Sequence, residues 1–145
     1  MKNTYTYEYP RASLTADIVI FSEDRTEVVL IQRKNEPYKG HWAFPGGFMD
    51  MDETLEQCAV RELEEETSIK VDSLRQLGAF SDIDRDPRGR TITVAYYGIV
   101  DKAHCPIKAQ DDAAAVGWFR INELPPLAFD HAKILAEAIK AVKNL

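Results

Sequence analysis

An α+β fold built on a mixed sheet is what this 145-residue sequence predicts. Three observations carry the prediction. Short β-branched apolar runs, bounded by polar turns, recur along the chain. Two segments instead show the four-residue spacing of an amphipathic helix. Strands and helices do not alternate regularly, which argues against a doubly wound parallel sheet.

Ala16–Phe21 (ADIVIF) and Val28–Gln32 (VVLIQ) are apolar and β-branched, with polar Ser22–Thr26 between them, and read as a hairpin or two adjacent strands. Asn35–Gly47 carries Pro37, Gly40, Pro45 and the pair Gly46-Gly47, and reads as a long loop with a tight turn rather than an element. Thr54 to about Thr67 is the clearest helix. Thr54 followed by Gln57 fits a capping box, and Leu55, Ala59 and Leu63 recur on one face with Cys58 close by. Leu77–Phe80 and Thr91–Val100 read as strands joined by polar Ser81–Arg90, and Ala115–Phe119 as another short strand. His131 to Val142 is a second helix, with Ile134, Leu135, Ala138, Ile139 and Val142 on one face.

Composition narrows the class. Lys and Arg number 18 against 24 Asp and Glu, a net charge of −6, and 45% of residues are hydrophobic, as in ordinary globular chains. The length predicts one domain over 1–145. A run such as Ala16–Phe21 is far short of the ~20 residues of a membrane span, so no membrane partner is expected. No apolar stretch follows a basic start, so no secretory leader is expected. Cys58 and Cys105 make neither a disulfide framework nor a metal-binding spacing, and a reducing cytoplasm is the expected compartment. A pI near 5.1 argues against a general nucleic-acid binder, yet leaves room for a small phosphorylated ligand. A homodimer is compatible with the sequence.

The stretch Arg61-Glu62-Leu63-Glu64-Glu65-Glu66 carries the chemistry. At ~3.6 residues per turn, Glu62, Glu65 and Glu66 share one side of the helix, away from Leu55, Ala59 and Leu63. Like charges at these spacings repel, and the C-terminal end of a helix disfavours anions. A solvated charged face is the ordinary alternative. A hard divalent cation would offset the repulsion, and oxygen ligands suit Mg²⁺ or Mn²⁺. The preceding Pro45-Gly46-Gly47 turn favours that reading, because glycines let the backbone approach a ligand and offer carbonyl oxygens.

These residues resemble the Nudix hydrolase signature G-x5-E-x7-R-E-U-x-E-E-x-G-U, U being a bulky aliphatic residue. Gly47 begins it, Glu53 follows after five residues and Arg61-Glu62 after seven more; Leu63, Glu65-Glu66 and Ile69 complete it over 23 residues. WAFPGGF leads in. Ser68 stands where the signature has Gly, at a helix exit where a left-handed residue costs Ser about 1 kcal/mol. The resemblance implies a Nudix-like α/β/α sandwich with a mixed β-sheet and a catalytic loop-helix. It implies cleavage, by water attack at phosphorus, of a nucleoside diphosphate linked to another moiety. Glu62, Glu65 and Glu66 would be the metal-binding set, with the Gly46 carbonyl a further ligand, Mg²⁺ the cofactor and Mn²⁺ able to substitute. Arg61 would orient Glu62 or pair with Glu53, and Glu64 would be solvated. Glu66 can serve as general base from the helix. Some members use an acid from a later loop, where Asp111 and Asp112 sit here, and Asp112 is also a candidate ligand; turn formation is their alternative role.

Substrate choice must come from outside that helix. Arg85, Arg88 and Arg90 fall within six residues of an otherwise acidic chain, in the loop DIDRDPRGR, and guanidinium groups suit phosphate recognition. Internal Asp–Arg pairing is the alternative. The RDPRGR run and the later Phe129-Asp130-His131 resemble the ADP-ribose pyrophosphatase-like branch, which implies ADP-ribose as substrate and AMP and ribose 5-phosphate as products. Phe48, with Phe44, Trp42 and Trp118, offers aromatic surface for a base, and His131 reads as a helix-start residue. Two other functions stay open: a house-cleaning pyrophosphohydrolase of oxidised or non-standard nucleoside triphosphates, and, more remotely, a non-catalytic ADP-ribose sensor. Regulators of the latter kind carry an added DNA-binding domain, for which a chain ending at Leu145 is not expected to have room.

Overall fold

A computed structural model describes residues 4–110 and 113–145; Asp111 and Asp112 lie outside the described residues. In chain order the elements are β1 (Ser13–Ser22), β2 (Glu27–Arg33), β3 (Trp42–Ala43), β4 (Gly46–Phe48), α1 (Leu55–Thr67), β5 (Arg75–Phe80), β6 (Thr91–Val100), β7 (Ala113–Arg120) and α2 (His131–Lys143). A single 3₁₀ turn, Lys102–His104, lies between β6 and β7.

Each predicted strand and helix is present, most of them extended by a residue or more at their ends. The stretch read as a plain loop, Asn35–Gly47, differs: it contributes β3 and the start of β4. Pro45 and two glycines hide any strand propensity there. Pairing with the neighbouring strands makes these short elements, not local preference.

β1 and β6 form the centre of the sheet, in parallel from Ser13↔Thr91 to Ser22↔Val100. β5 lies antiparallel outside β6, and β7 antiparallel outside β2. β1 and β2 pair only at Phe21↔Val28 and then diverge. The segment Trp42–Phe48 fills the wedge: β3 pairs with β2 at Ile31↔Ala43, and β4 with β1 at Asp17↔Gly46. The ladder is reinforced where the Ile18 N–H donates to the Pro45 carbonyl at 2.9 Å.

Alternation along β1 sends successive side chains to opposite faces. Ala16, Ile18 and Ile20 bury against Cys58, Ala59 and Leu63 of α1. Val19 and Phe21 bury against Ile134, Leu135, Ala138 and Val142 of α2. The result is an α/β/α sandwich. α1 begins with the expected reciprocal cap, the Thr54 hydroxyl accepting from the Gln57 N–H at 3.1 Å and the Gln57 side chain accepting from the Thr54 N–H at 2.9 Å. It ends at Ser68, which is left-handed with φ 69°. The carbonyls of Glu66 and Thr67 accept from the Gln110 and Lys108 N–H groups, so the segment 108–110 closes the C-terminal end of the helix.

Candidate active site

The wedge between β1 and β2 opens into a cavity of about 430 Å³, within the range of small-molecule sites. Its floor is the Gly46-Gly47 backbone, pressed against α1. A Cβ on Gly47 would lie 2.6 Å from the Glu62 carboxyl carbon, and one on Gly46 only 2.2 Å from the Ala16 carbonyl oxygen. Neither position accepts a side chain, so glycine is required by close approach. The Gly46 N–H donates to Glu66 Oε1 at 2.7 Å, tying the floor to the helix.

One wall is acidic and organised by Arg61. Its Nε and Nη2 donate to both oxygens of Glu53, at 2.9 and 2.6 Å. Its Nη1 donates to Glu62 at 2.8 Å and Glu65 at 3.1 Å, and Nη2 reaches the Phe48 carbonyl at 3.2 Å. The Arg61 bonds hold Glu53 down, from an ordinary 4.5 to about 2. Glu62 moves the other way: burial raises it, outweighing the attraction of Arg61. Glu64 is exposed, whereas Glu66 is buried. Cys58, in the apolar layer beneath, is pushed up to about 12 by burial, which leaves the thiol unreactive.

Among the described residues, no three His, Cys, Asp or Glu side chains stand gathered as a ready-made metal centre. Glu62 and Glu65 are drawn to Arg61 and Glu66 to Gly46. The donor set nonetheless fits a hard divalent cation. It is all oxygen, it lies on a backbone cradle that any Cβ would fill, and it includes half-buried Glu62, whose charge burial disfavours even beside Arg61.

The opposite wall is basic. The three loop arginines separate. Arg85 has only 3% of its side chain exposed and donates to both oxygens of Asp130, at 2.9 and 2.7 Å. Arg88 is clasped by Asp86 at 3.0 and 2.7 Å, with its guanidinium carbon 5.1 Å from the Phe48 ring centre and 5.5 Å from that of Phe129. Both line the cavity. Arg90 is exposed, donates to the Asp82 carbonyl at 3.3 Å and is not part of the lining. The aromatic residues also divide. Phe44 is buried, Trp42 packs edge-on against Phe119, and Phe48 stands 45% exposed at the mouth.

The lining also contains residues that sequence reasoning missed as site residues, among them Asp17, Arg33, Phe129 and His131. Asp17 is buried in β1 and accepts from the Thr93 hydroxyl at 2.7 Å. Burial opposes its charge, but the His131 ring, the Thr93 hydroxyl and Arg85 together outweigh it and hold the carboxyl below its ordinary value. His131 opens α2 as read, and is also buried in the site. Its Nδ1 accepts from the Phe44 N–H at 3.0 Å, which puts the proton on Nε2, 3.6 Å from Asp17. The signal for Asp17 was available as a lone charge inside ADIVIF. Arg33 at a strand end carried no such signal.

Known proteins share the sequence pattern and fold of this chain. The family model described as NUDIX domain matches residues 12–138. An ADP-ribose pyrophosphatase of Methanocaldococcus jannaschii is 43% identical over 91% of this chain and 76% of its own length. The ADPR-responsive transcriptional repressor NtrR of Acinetobacter baylyi is 36% identical over 94% of the chain, which spans only 57% of that protein. Among solved structures, the NUDIX domain of Shewanella oneidensis NrtR complexed with ADP ribose superposes with a TM-score of 0.82 at 33% identity, covering 92% of this chain and 90% of that one.

Proposed function

Because this chain belongs to the NUDIX family, we propose that it hydrolyses the pyrophosphate bond of ADP-ribose, giving AMP and ribose 5-phosphate. The observation that carries the reading is the polarity of one cavity. An acidic wall, Glu62 and Glu66 beside the Gly46-Gly47 backbone, faces a basic wall containing Arg88. A pyrophosphate is a dianion or more and would be repelled by the acids alone. A divalent cation on them reverses the local sign and supplies Lewis-acid activation of water and phosphoryl oxygen. Glu62, Glu65, Glu66 and the Gly46 carbonyl would hold it, and the oxygen donors favour Mg²⁺ with Mn²⁺ able to substitute.

The chain's own residues do the rest. Arg61 fixes the rotamers of Glu62 and Glu65, with Glu53 as its anchor, so the carboxylates are held in place before substrate arrives. Glu66, buried and pinned by the Gly46 N–H, is the base that accepts the proton of the attacking water. Phe48 at the mouth gives an exposed ring on which a base can stack. We place the activity in a single domain in the cytoplasm; among the described residues no helix is long and apolar enough to cross a membrane.

Similarity to the repressor supports a second reading, binding of ADP-ribose without turnover. Product analysis separates the two. ADP-ribose and 8-oxo-dGTP are each incubated with protein and Mg²⁺, and phosphorus NMR identifies the products. AMP and ribose 5-phosphate are expected. Binding without products would favour the sensor, and preferential cleavage of the triphosphate would favour a house-cleaning enzyme.

A further inference from the structure

We propose that His131 is a positioning residue for the cation site. From the start of α2 it holds the corner of the segment 42–48, and so fixes where Gly46 and Glu66 stand. The proposal rests on the divalent-cation part of the reading above and is independent of which pyrophosphate is cut.

Within that segment β3 is laddered to β2 and β4 to β1, two strands that diverge. Phe44 and Pro45 turn the corner between the ladders. Pro45 has no N–H, and its carbonyl accepts from the Ile18 N–H. Phe44 is buried, so its N–H needs an acceptor inside the protein. His131, 87 residues away, supplies it: Nδ1 accepts from the Phe44 N–H at 3.0 Å.

The ring is itself fixed. It is buried, stacks on Phe44 with centres 5.6 Å apart and lies 5.5 Å from the Phe129 ring. Asp130, the preceding residue, is locked to Arg85 by two bonds, which makes a firm support. A main-chain N–H can only donate, so the imidazole proton is on Nε2, 3.6 Å from Asp17 Oδ2. Asp17 stands opposite Gly46 in the β1–β4 ladder and also accepts from the Thr93 hydroxyl. One imidazole thus faces both chains that seat Gly46: Phe44 ahead of it in sequence and Asp17 across from it.

A shift of Gly46 reaches the carboxylates directly. Its N–H donates to Glu66 Oε1 at 2.7 Å, and its carbonyl belongs to the proposed ligand set. The fit has little slack, since a Cβ on Gly46 would collide with Asp17 Oδ1. Residues that orient a metal ligand without touching the metal change affinity by about 10- to 100-fold when removed.

The test is Mn²⁺ titration of the substrate-free protein, with the free ion read by electron paramagnetic resonance and Tm by circular dichroism. Wild type is compared with His131→Asn, His131→Gln and His131→Leu. The Asn side-chain oxygen reaches the place of Nδ1 and can accept from the Phe44 N–H. The Gln amide reaches toward Asp17 and leaves Phe44 without its acceptor, and Leu keeps neither contact. Asn should bind Mn²⁺ nearly as wild type does, whereas Gln and Leu should bind about 10- to 100-fold more weakly. In ADP-ribose turnover, Gln and Leu should raise the Mg²⁺ concentration for half activation, with KM at saturating Mg²⁺ close to that of wild type. A role confined to packing would lower Tm without moving Mn²⁺ affinity, and that result overturns the proposal while leaving the proposed function standing. Equal affinities in Asn and Gln overturn it as well, a comparison that holds even if Leu fails to fold. A raised KM with unchanged Mn²⁺ affinity would overturn it by making His131 a substrate contact. No saturable Mn²⁺ binding to wild type would overturn the cation site and this proposal together.

Discussion

Replacing Arg85 by Met should damage the fold rather than the chemistry. Arg85 lines the cavity, but its guanidinium makes two bonds to Asp130, and only 3% of the side chain is exposed. Met keeps most of the apolar stem and removes the charge. What remains is the Asp130 carboxylate, 15% exposed and without its cation. Breaking such a pair from one side costs about 3–5 kcal/mol. Asp130 sits at the N-cap of α2, where the helix dipole favours an anion and offsets part of the loss, so the lower end applies. For a chain of this size, about 3 kcal/mol corresponds to a Tm lower by about 6–12 °C. Thermal unfolding followed by circular dichroism reads that shift, and steady-state kinetics at 25 °C, where the variant is still folded, should give kcat/KM within a few-fold of wild type. Adding Asp130→Asn should recover part of the Tm, because no charge is then stranded. A Tm within about 2 °C of wild type, together with a hundredfold loss of kcat/KM, would refute the reasoning and make Arg85 a substrate contact.

Three further predictions follow from the acidic wall. Excess EDTA should abolish activity and Mg²⁺ or Mn²⁺ restore it, while Glu66→Gln, whose amide oxygen can still accept from the Gly46 N–H, should lose about 10²-fold or more in kcat with little change in Tm. Ser68→Gly should change stability by less than about 1 kcal/mol in urea melts: relief of the left-handed backbone gains about that much, and loss of the Ser68 hydroxyl bonds to Gln110 and the Lys108 carbonyl returns a similar amount. Glu53 is depressed from 4.5 to about 2 by Arg61, so its contribution to stability is complete above pH 4.5 and lost as pH falls toward 2. Stability measured across that window should fall less steeply in Glu53→Gln than in wild type, and identical slopes would contradict the assignment.

How much of this was legible beforehand depends on where each feature is encoded. α1 was readable to the residue at its start, because Thr54 and Gln57 satisfy each other within a single turn. The left-handed exit at Ser68 was readable only through the resemblance, because the signature has glycine at that position. β3 and β4 were not. Two or three residues around a proline and two glycines become strands only because β1 and β2 diverge and leave ladder groups to be paired. The arginine loop lay between these cases. Its composition announced an anion, and internal pairing was weighed, but the partner of Arg85 is Asp130, 45 residues away. Arg33 showed nothing locally, since a charged residue closing a strand is commonplace. Its place in the cavity lining, with its guanidinium carbon 5.0 Å from the Phe129 ring centre, is a property of the assembled fold.

The wedge in the sheet has a consequence for how such a protein can change over generations. The floor of the cavity is held by main-chain ladder bonds on either side and asks of its two glycines only that they carry no side chain. Almost any neighbouring replacement leaves that scaffold as it was. On the opposite rim Arg88 is held side chain to side chain by Asp86, so a single codon change there can redirect a guanidinium. The glycine floor is thus set by main-chain geometry, and the charge on the facing rim by a side-chain pair. A change at that rim alters the charge facing the glycine floor and leaves the floor itself in place.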